Sequence, residues 1–454
     1  MTGSTETSNT AKTYPDPLAI TPFTRPVSGT VEVPGSKSIT NRMLILACMA
    51  DHPVELTGAL FSDDSRHMVS CLRNLGFEIE TEEKERSIRI KGTGGKIPNE
   101  TASLYVGVAG TAARFLTAFC ATRNAGSFAL DGTEQMRKRP MKELFDALEQ
   151  LGAKVDSASG FFPATLNGGG LKGGLVRLDA SASSQMLSAL LMVAPLAKTD
   201  LEIELSGGAE AKPFVQLTQA LMYQFGQPRQ EIEPLDKQRV RIRVKAGIPY
   251  KIPAQVAIEP DATAASYFLT LPLVVGGTVT VRGLFSSSLQ GDYRYTEILR
   301  DVGATIEETP EGTQASMALK NLPGGGIKKN FWPISDTFMT LAAIAPVLKG
   351  ISRFEGISHT RHQESDRIAA MANELIKLGQ WIEDGEDFLE IQPGLIVPSE
   401  VMTYEDHRIA MSFGILGCFN LYADGSPWLT IENPGCCGKT FPNFFNVLEN
   451  LRKS

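Results

Sequence analysis

The phrase LRNLG at residues 72–76 recurs as LEQLG at 148–152, LMYQFG ending at Gly226, ILRDVG ending at Gly303 and LIKLG ending at Gly379. VLENL, ending at Leu451, repeats it without the glycine. The closing positions are 76, 74, 77, 76 and 72 residues apart, so six units of one design fill almost all of the 454 residues. An apolar helical turn closed by glycine and followed by a strand marks a helix C-terminus, where glycine takes the left-handed conformation at no steric cost. A period this long belongs to repeated supersecondary units. Whatever the chain binds is therefore expected at corresponding points of several copies.

Each unit also has an earlier helix that opens on small or charged residues: SKSITNR at Ser36, AGTAAR at Ala109, SASSQ at Ser181, PDATAAS at Pro260, SDTFM at Ser335 and EDHRIA at Glu405. Apolar stretches such as MLILACMA and MLSALLMVAPLA follow. A strand comes next, as in VELTGAL or TVTVRGL, and then a second helix that starts at Pro or a charge and ends in the recurring phrase. The order is helix, strand, helix, strand, with extra strand between copies. A chain this long exceeds one core and is expected to form two domains of three units each.

Composition narrows the function. A net charge of −7 argues against general nucleic-acid binding. No apolar stretch is long enough to span a bilayer. The first 19 residues lack the design of a secretory signal and are expected to form a flexible tail. Of the cysteines, Cys48, Cys120 and Cys418 lie in apolar helical stretches, and no cysteine spacing resembles a zinc site. The expectation is a reducing cytoplasm and no metal.

Helix starts expose unpaired N–H groups and the positive end of the dipole, so they favour anions. Yet cations gather there: Lys37 and Arg42, Arg114, Arg139 before a proline read as the first residue of a helix, Arg367, Arg408 and Lys439, read as opening the last helix. Each misplaced cation costs about 0.3–1 kcal/mol at an exposed terminus. Seven of them point to a ligand with more than one acidic group. Taken singly, each has a plainer reading. Ser183, Ser184 and Gln185 fit simple caps, as do Asp261 and Asp336; Glu364 fits an i,i+3 pair with Arg367; His407 fits a satisfied structural histidine.

The runs VPGSKSITNR, GVAGTAAR, KRPM, ASSQMLSALLMVAPLA, PDATAASYF, ESDR, YEDHRIAM and GKTFPNFF, in that order, resemble the enolpyruvyl transferase family, and within it the branch that uses shikimate 3-phosphate. The resemblance runs from about residue 20 to the C-terminus. It implies an α/β fold of two similar domains, each an inside-out, barrel-like, pseudo-threefold arrangement of three βαβαββ units, with the active site in the interdomain cleft. One domain would span residues 35–257 and the other 20–34 plus 258–454.

The implied reaction joins the enolpyruvyl group of phosphoenolpyruvate to the 5-hydroxyl of shikimate 3-phosphate and releases phosphate, without cofactor or metal, in a cytoplasmic monomer. Glyphosate mimics phosphoenolpyruvate in this family. By the resemblance, Arg139, Gln185, Arg367, Arg408 and Lys439 hold phosphoenolpyruvate, with Gly110 and Thr111 letting the backbone approach it. Ser38, Arg42, Ser183, Ser184, Gln185, Asp336 and Gln363 surround shikimate 3-phosphate, and Lys37 bridges both substrates. Addition then elimination needs an acid and a base. Asp336 would take the hydroxyl proton, Glu364 with Lys37 would handle the methylene proton, and His407 would orient Glu364.

Val108, Ala211, Phe214 and Gln363 depart from the family pattern, and Phe115 stands where proline is frequent. Three of those four departures fall around the shikimate phosphate and lower the expected affinity for that substrate. Two other functions compete with this reading: enolpyruvyl transfer to UDP-N-acetylglucosamine, and a module that only binds an acidic metabolite. The loop DGTEQMRKRP lacks the cysteine usual in the amino-sugar branch. Lys37, Asp336 and Glu364 together have no purpose in a module that does no chemistry.

Overall fold

The computed structural model describes residues 14–181, 183–208, 213–318 and 326–454. Its described residues carry the six units expected from the repeat, each with two principal helices. These are α1 (Lys37–Cys48) and α2 (Asp63–Asn74), α3 (Gly110–Cys120) and α4 (Lys142–Gln150), α5 (Ser184–Val193) and α6 (Pro213–Gln224), α7 (Ala262–Val275) and α8 (Tyr295–Asp301), α9 (Phe338–Ile344) and α10 (Arg367–Lys377), and α11 (His407–Leu416) and α12 (Phe444–Lys453).

The recurring phrase ends a helix in each of the first five units. Gly76, Gly152, Gly226, Gly303 and Gly379 all have φ between 84° and 109°. The N–H of the residue after each glycine reaches back to a carbonyl five residues earlier: Phe77 to Leu72, Ala153 to Leu148, Gln227 to Met222, Ala304 to Leu299 and Gln380 to Leu375, at 2.9–3.1 Å. This is the six-to-one closure that satisfies the last free carbonyls of a helix. Side-chain caps close the starts of α1, α5 and α11. Ser36 Oγ accepts from Ile39 N–H at 3.4 Å, Ser183 Oγ from Gln185 N–H at 3.3 Å and Asp406 Oδ1 from Arg408 N–H at 3.0 Å.

Sheet topology repeats with the helices. In the second unit the strand Thr101–Tyr105 runs parallel to Ser127–Asp131, which pairs antiparallel with Ala164–Asn167, which pairs antiparallel with Lys154–Asp156. The third and fifth units follow the same order. The first and fourth exchange their lead strands. Val27–Val31 precedes α1 in the chain but pairs with Gly277–Arg282 after α7, and Gln255–Ala257 precedes α7 but pairs with Pro53–Thr57 after α1. The sixth unit is shorter: Ser399–Val401 and Leu429–Ile431 run parallel, and Leu18–Ala19 completes their sheet.

Two compact units result. One comprises Glu32–Thr263 with Gly283–Arg294, and the other the described residues up to Val31, Ala264–Arg282 and Tyr295–Ser454. The repeat did not foretell that Gly283–Arg294 clusters with the first of these. In the first unit α1, α3 and α5 form the centre and are buried around almost their whole circumference, as helices apolar on all sides must be. Their second turns meet around one arginine. Arg42 in the second turn of α1 bonds Ser188 in the second turn of α5 and lies 5.2 Å from the ring of Phe115 in the second turn of α3. Their N-termini therefore gather at one end. The second unit is centred on α7, α9 and α11, with Phe268, Phe441 and Phe444 in mutual ring contact. Among the described residues no helix is long and apolar enough to cross a membrane.

Candidate active site

In the unit centred on α7, α9 and α11, side chains from the starts of α10 and α11 and from the 3-10 turns ahead of α9 and α12 form one ionic network. Arg367, the first residue of α10, is 1% exposed. Its guanidinium donates from Nη1 to Asp336 Oδ1 at 3.1 Å, from Nη2 to Glu364 Oε2 at 2.8 Å and from Nε to Asp406 Oδ2 at 2.8 Å. Nη1 also donates to Gln363 Oε1. Arg408 Nη2 donates to Asp336 Oδ2 at 2.7 Å, and Lys439 Nζ to Glu364 Oε1 at 2.7 Å. Three cations and three carboxylates thus interlock. Burial alone would pull the Arg367 guanidinium down, but Asp406, Glu364 and Asp336 outweigh it and hold it above its ordinary value. His407 follows Asp406 and is fully buried, its Nδ1 3.8 Å from Asp406 Oδ1.

Local structure differs from the sequence expectation at three places. Asp336 is not a cap: it lies in the 3-10 turn Trp332–Thr337 ahead of α9, and its carboxylate serves Arg367 and Arg408. Lys439 does not open the last helix. It ends the 3-10 turn Pro434–Lys439, and α12 begins at Phe444. Pro140 is not the first residue of α4, which starts at Lys142 after Met141.

The other unit brings its own set of cations to the gathered helix starts. Lys37 opens α1, with Nζ 3.6 Å from Asp64 Oδ2 and its backbone N–H bonded to Asp261 Oδ2 at 3.1 Å. Asp261 therefore serves the start of α1. Gly110 opens α3. A Cβ there would lie 2.5 Å from Arg114 Nη1 and 2.8 Å from Arg139 Cζ, so only glycine leaves room for both guanidiniums. Arg139 Nη1 donates to Val108 O at 3.3 Å, a backbone contact available to any residue at 108. Thr111 follows Gly110 at the start of α3, and Ser38 follows Lys37 in α1. Ser183, Ser184 and Gln185 form the start of α5, where Gln185 Oε1 is buried with no partner among the described residues.

Two arginines from the sequence list are core residues. Arg114 is buried and donates to Gly110 O and Pro140 O. Arg42 is also buried: its Nε donates to Thr218 Oγ1 at 2.7 Å, Nη1 to Ser38 O at 2.9 Å, and Nη2 to Phe214 O at 2.8 Å and Ser188 Oγ at 3.2 Å. Desolvation lowers its guanidinium to about 9. Phe214 reaches Arg42 through its carbonyl, so the departure at its side chain leaves that bond intact. Ala211 lies outside the described residues.

Sequence reasoning passed over two carboxylates. Asp406, fully buried, caps α11, accepts from Arg367 and also accepts from Ser365 Oγ at 3.1 Å. The signal was the EDHR run itself, in which the aspartate occupies the capping position. Asp64, 1% exposed, sits in the first turn of α2 behind the Ser62 cap and faces Lys37. Nothing in its local sequence marked it out. Among the described residues no group of His, Cys, Asp and Glu side chains is arranged to hold a metal ion.

Residues 23–448 match the EPSP synthase (3-phosphoshikimate 1-carboxyvinyltransferase) family. The 3-phosphoshikimate 1-carboxyvinyltransferase of Opitutus terrae is 49% identical over 445 residues, 97% of this chain and 98% of that one. That of Nostoc punctiforme is 40% identical over 432 residues, 95% of this chain and 98% of its own. A solved EPSP synthase structure from Acinetobacter baumannii shares the fold, with a TM-score of 0.75 at 24% identity over 95% of this chain and 97% of that one.

Proposed function

We infer how this chain works from one premise: it belongs to the EPSP synthase (3-phosphoshikimate 1-carboxyvinyltransferase) family. It transfers the enolpyruvyl group of phosphoenolpyruvate to shikimate 3-phosphate, a step of aromatic amino acid biosynthesis.

The reading rests on one observation. A single buried guanidinium, Arg367, ties together Asp336 and Glu364, the two carboxylates proposed to move protons. Phosphoenolpyruvate carries a carboxylate and a phosphate, and these compete for Arg367, Arg408 and Lys439, the cations that neutralise Asp336 and Glu364 in this structure. Arginine suits that exchange because its planar fork grips either anion in a bidentate way. As the substrate draws the cations away, the two carboxylates lose the neighbours that favour their charged forms and gain the ability to bind a proton. Asp336 then accepts the proton of the acceptor hydroxyl as its oxygen attacks C2. Glu364 delivers a proton to the methylene carbon, with Lys439 Nζ in contact with it at 2.7 Å. The tetrahedral adduct collapses by breaking its C–O bond to phosphate, which takes the proton held by Asp336, and by returning a methyl proton to Glu364. Gly110, Thr111 and Arg139 match family positions that serve phosphoenolpyruvate. Ser38, Ser183 and Ser184 serve the shikimate ring and its phosphate, and Lys37 and Gln185 serve both substrates. Arg42 acts from beneath, holding the Ser38 carbonyl.

Asp336→Ala tests the assignment. It is expected to abolish phosphate release while leaving phosphoenolpyruvate binding intact or tighter, because Arg367 and Arg408 lose a competitor. Persistent turnover would remove Asp336 from the mechanism. Phosphate release from the unsubstituted enzyme with UDP-N-acetylglucosamine, and none with shikimate 3-phosphate, would overturn the choice of acceptor.

A further inference from the structure

Tyr404 and Glu405, just ahead of Asp406 and α11, have φ of 54° and 57°. Asp406 N–H donates to Thr403 O at 2.8 Å, closing a four-residue turn whose two central residues are both left-handed. Asn-Gly sequences populate that shape readily; tyrosine and glutamate do not. Strained backbone persists where its surroundings over-determine it, and it tends to sit at functional sites.

The surroundings here include one buried acid. Glu374 lies in the third turn of α10, fully buried, on the helix that begins at Arg367. Its Oε1 accepts from Tyr404 O–H at 2.7 Å and its Oε2 from Met402 N–H at 3.1 Å. Lys377 Nζ lies 2.5 Å from Oε2 and also donates to Glu400 O at 3.0 Å, so the carboxylate has a countercharge and the strand before the turn is tied to the same helix. Both ends of the arrangement reach the ionic network: α10 carries Arg367, and the turn carries Asp406 and Arg408.

We propose that Glu374 and Tyr404 are positioning residues, a latch that holds the 403–406 turn left-handed and thereby sets Asp406 and Arg408 against Arg367 and Asp336. Neither touches substrate. Their effect passes through the start of α11, which the turn aims. The inference rests on the reading above that Arg367 and Arg408 hold phosphoenolpyruvate.

Tyr404→Phe removes the hydroxyl and leaves the ring. Amide hydrogen exchange across residues 402–408 is expected to accelerate about tenfold. The KM for phosphoenolpyruvate is expected to rise about fivefold while that for shikimate 3-phosphate stays within a factor of about two. Adding Glu405→Gly, which accepts a positive φ freely, is expected to bring the KM most of the way back to that of the parent. Unchanged exchange in Y404F overturns the latch. So does a parallel rise in both KM values with a lower Tm, which is the mark of a merely structural contact. Arg408→Ala separates this idea from its premise. If that variant leaves the phosphoenolpyruvate KM unchanged, the site assignment fails, while the exchange data still decide the latch.

Discussion

Arg367 shows what a single side chain settles at this site. A lysine in its place would keep the charge but could not present three donors to Asp336, Glu364 and Asp406 from one plane. Removing one member of such a buried network costs about 3–5 kcal/mol, because the others are left uncompensated. Gly110 acts by its lack of a side chain. The Cβ of Gly110→Ala would meet Arg114 at 2.5 Å and Arg139 at 2.8 Å. Arg114 is pinned by two carbonyls, whereas Arg139 has one long bond, so Arg139 is the group that yields. Overpacking of this kind costs about 1–3 kcal/mol, and the expected outcome is a roughly tenfold higher KM for phosphoenolpyruvate in steady-state kinetics. An unchanged KM would show that Arg139 does not bind that substrate. Most of these residues were legible in the sequence as cations misplaced at helix starts. Arg42 and Arg114 looked identical to the others there, because a cation that binds carbonyls and hydroxyls and one that binds carboxylates leave the same local pattern.

Helix ends belong to the next scale. The leucine-glycine phrase is a stop signal, and at Gly226 its glycine is required by conformation more than by space. At Gly226, with φ 89°, the nearest atoms to an added Cβ belong to the side chain of Lys251, at 3.2 Å. Gly226→Ala is therefore expected to lower the unfolding free energy by about 1–2 kcal/mol, with kcat unchanged. Gly226→Asn should cost less, since asparagine tolerates this region. Denaturant melts that fail to separate the two variants from the parent would remove the conformational argument. These helix ends could be read directly because capping is decided within six residues. Two helix starts were misread, at Lys439 and Pro140, because a 3-10 turn or an extra residue before a helix has the same composition as a helix start.

At the scale of the molecule, the exchanged lead strands are the decisive feature. Val27–Val31 completes the sheet of Gly277–Arg282, and Val31 pairs with Val281 inside the core of that unit. Val31→Asp places a charge there and is expected to destabilise one unit selectively. Hydrogen exchange should quicken in Val27–Val31, Gly277–Arg282 and Gly312–Met317 and stay unchanged in Pro53–Thr57 and Ser87–Lys91. A uniform response would mean that the two units unfold as one.

The amino-acid sequence by itself determined the six units, their helix stops and caps, the family, and nearly every polar group at the helix starts. Each of these depends on neighbours within a few residues or on a motif read in order. Tertiary structure alone decided that Asp64 faces Lys37, that Asp406 joins Arg367, and that Lys439 reaches Glu364 from 75 residues away. Such pairings depend on how the helices pack, which no local run of residues encodes.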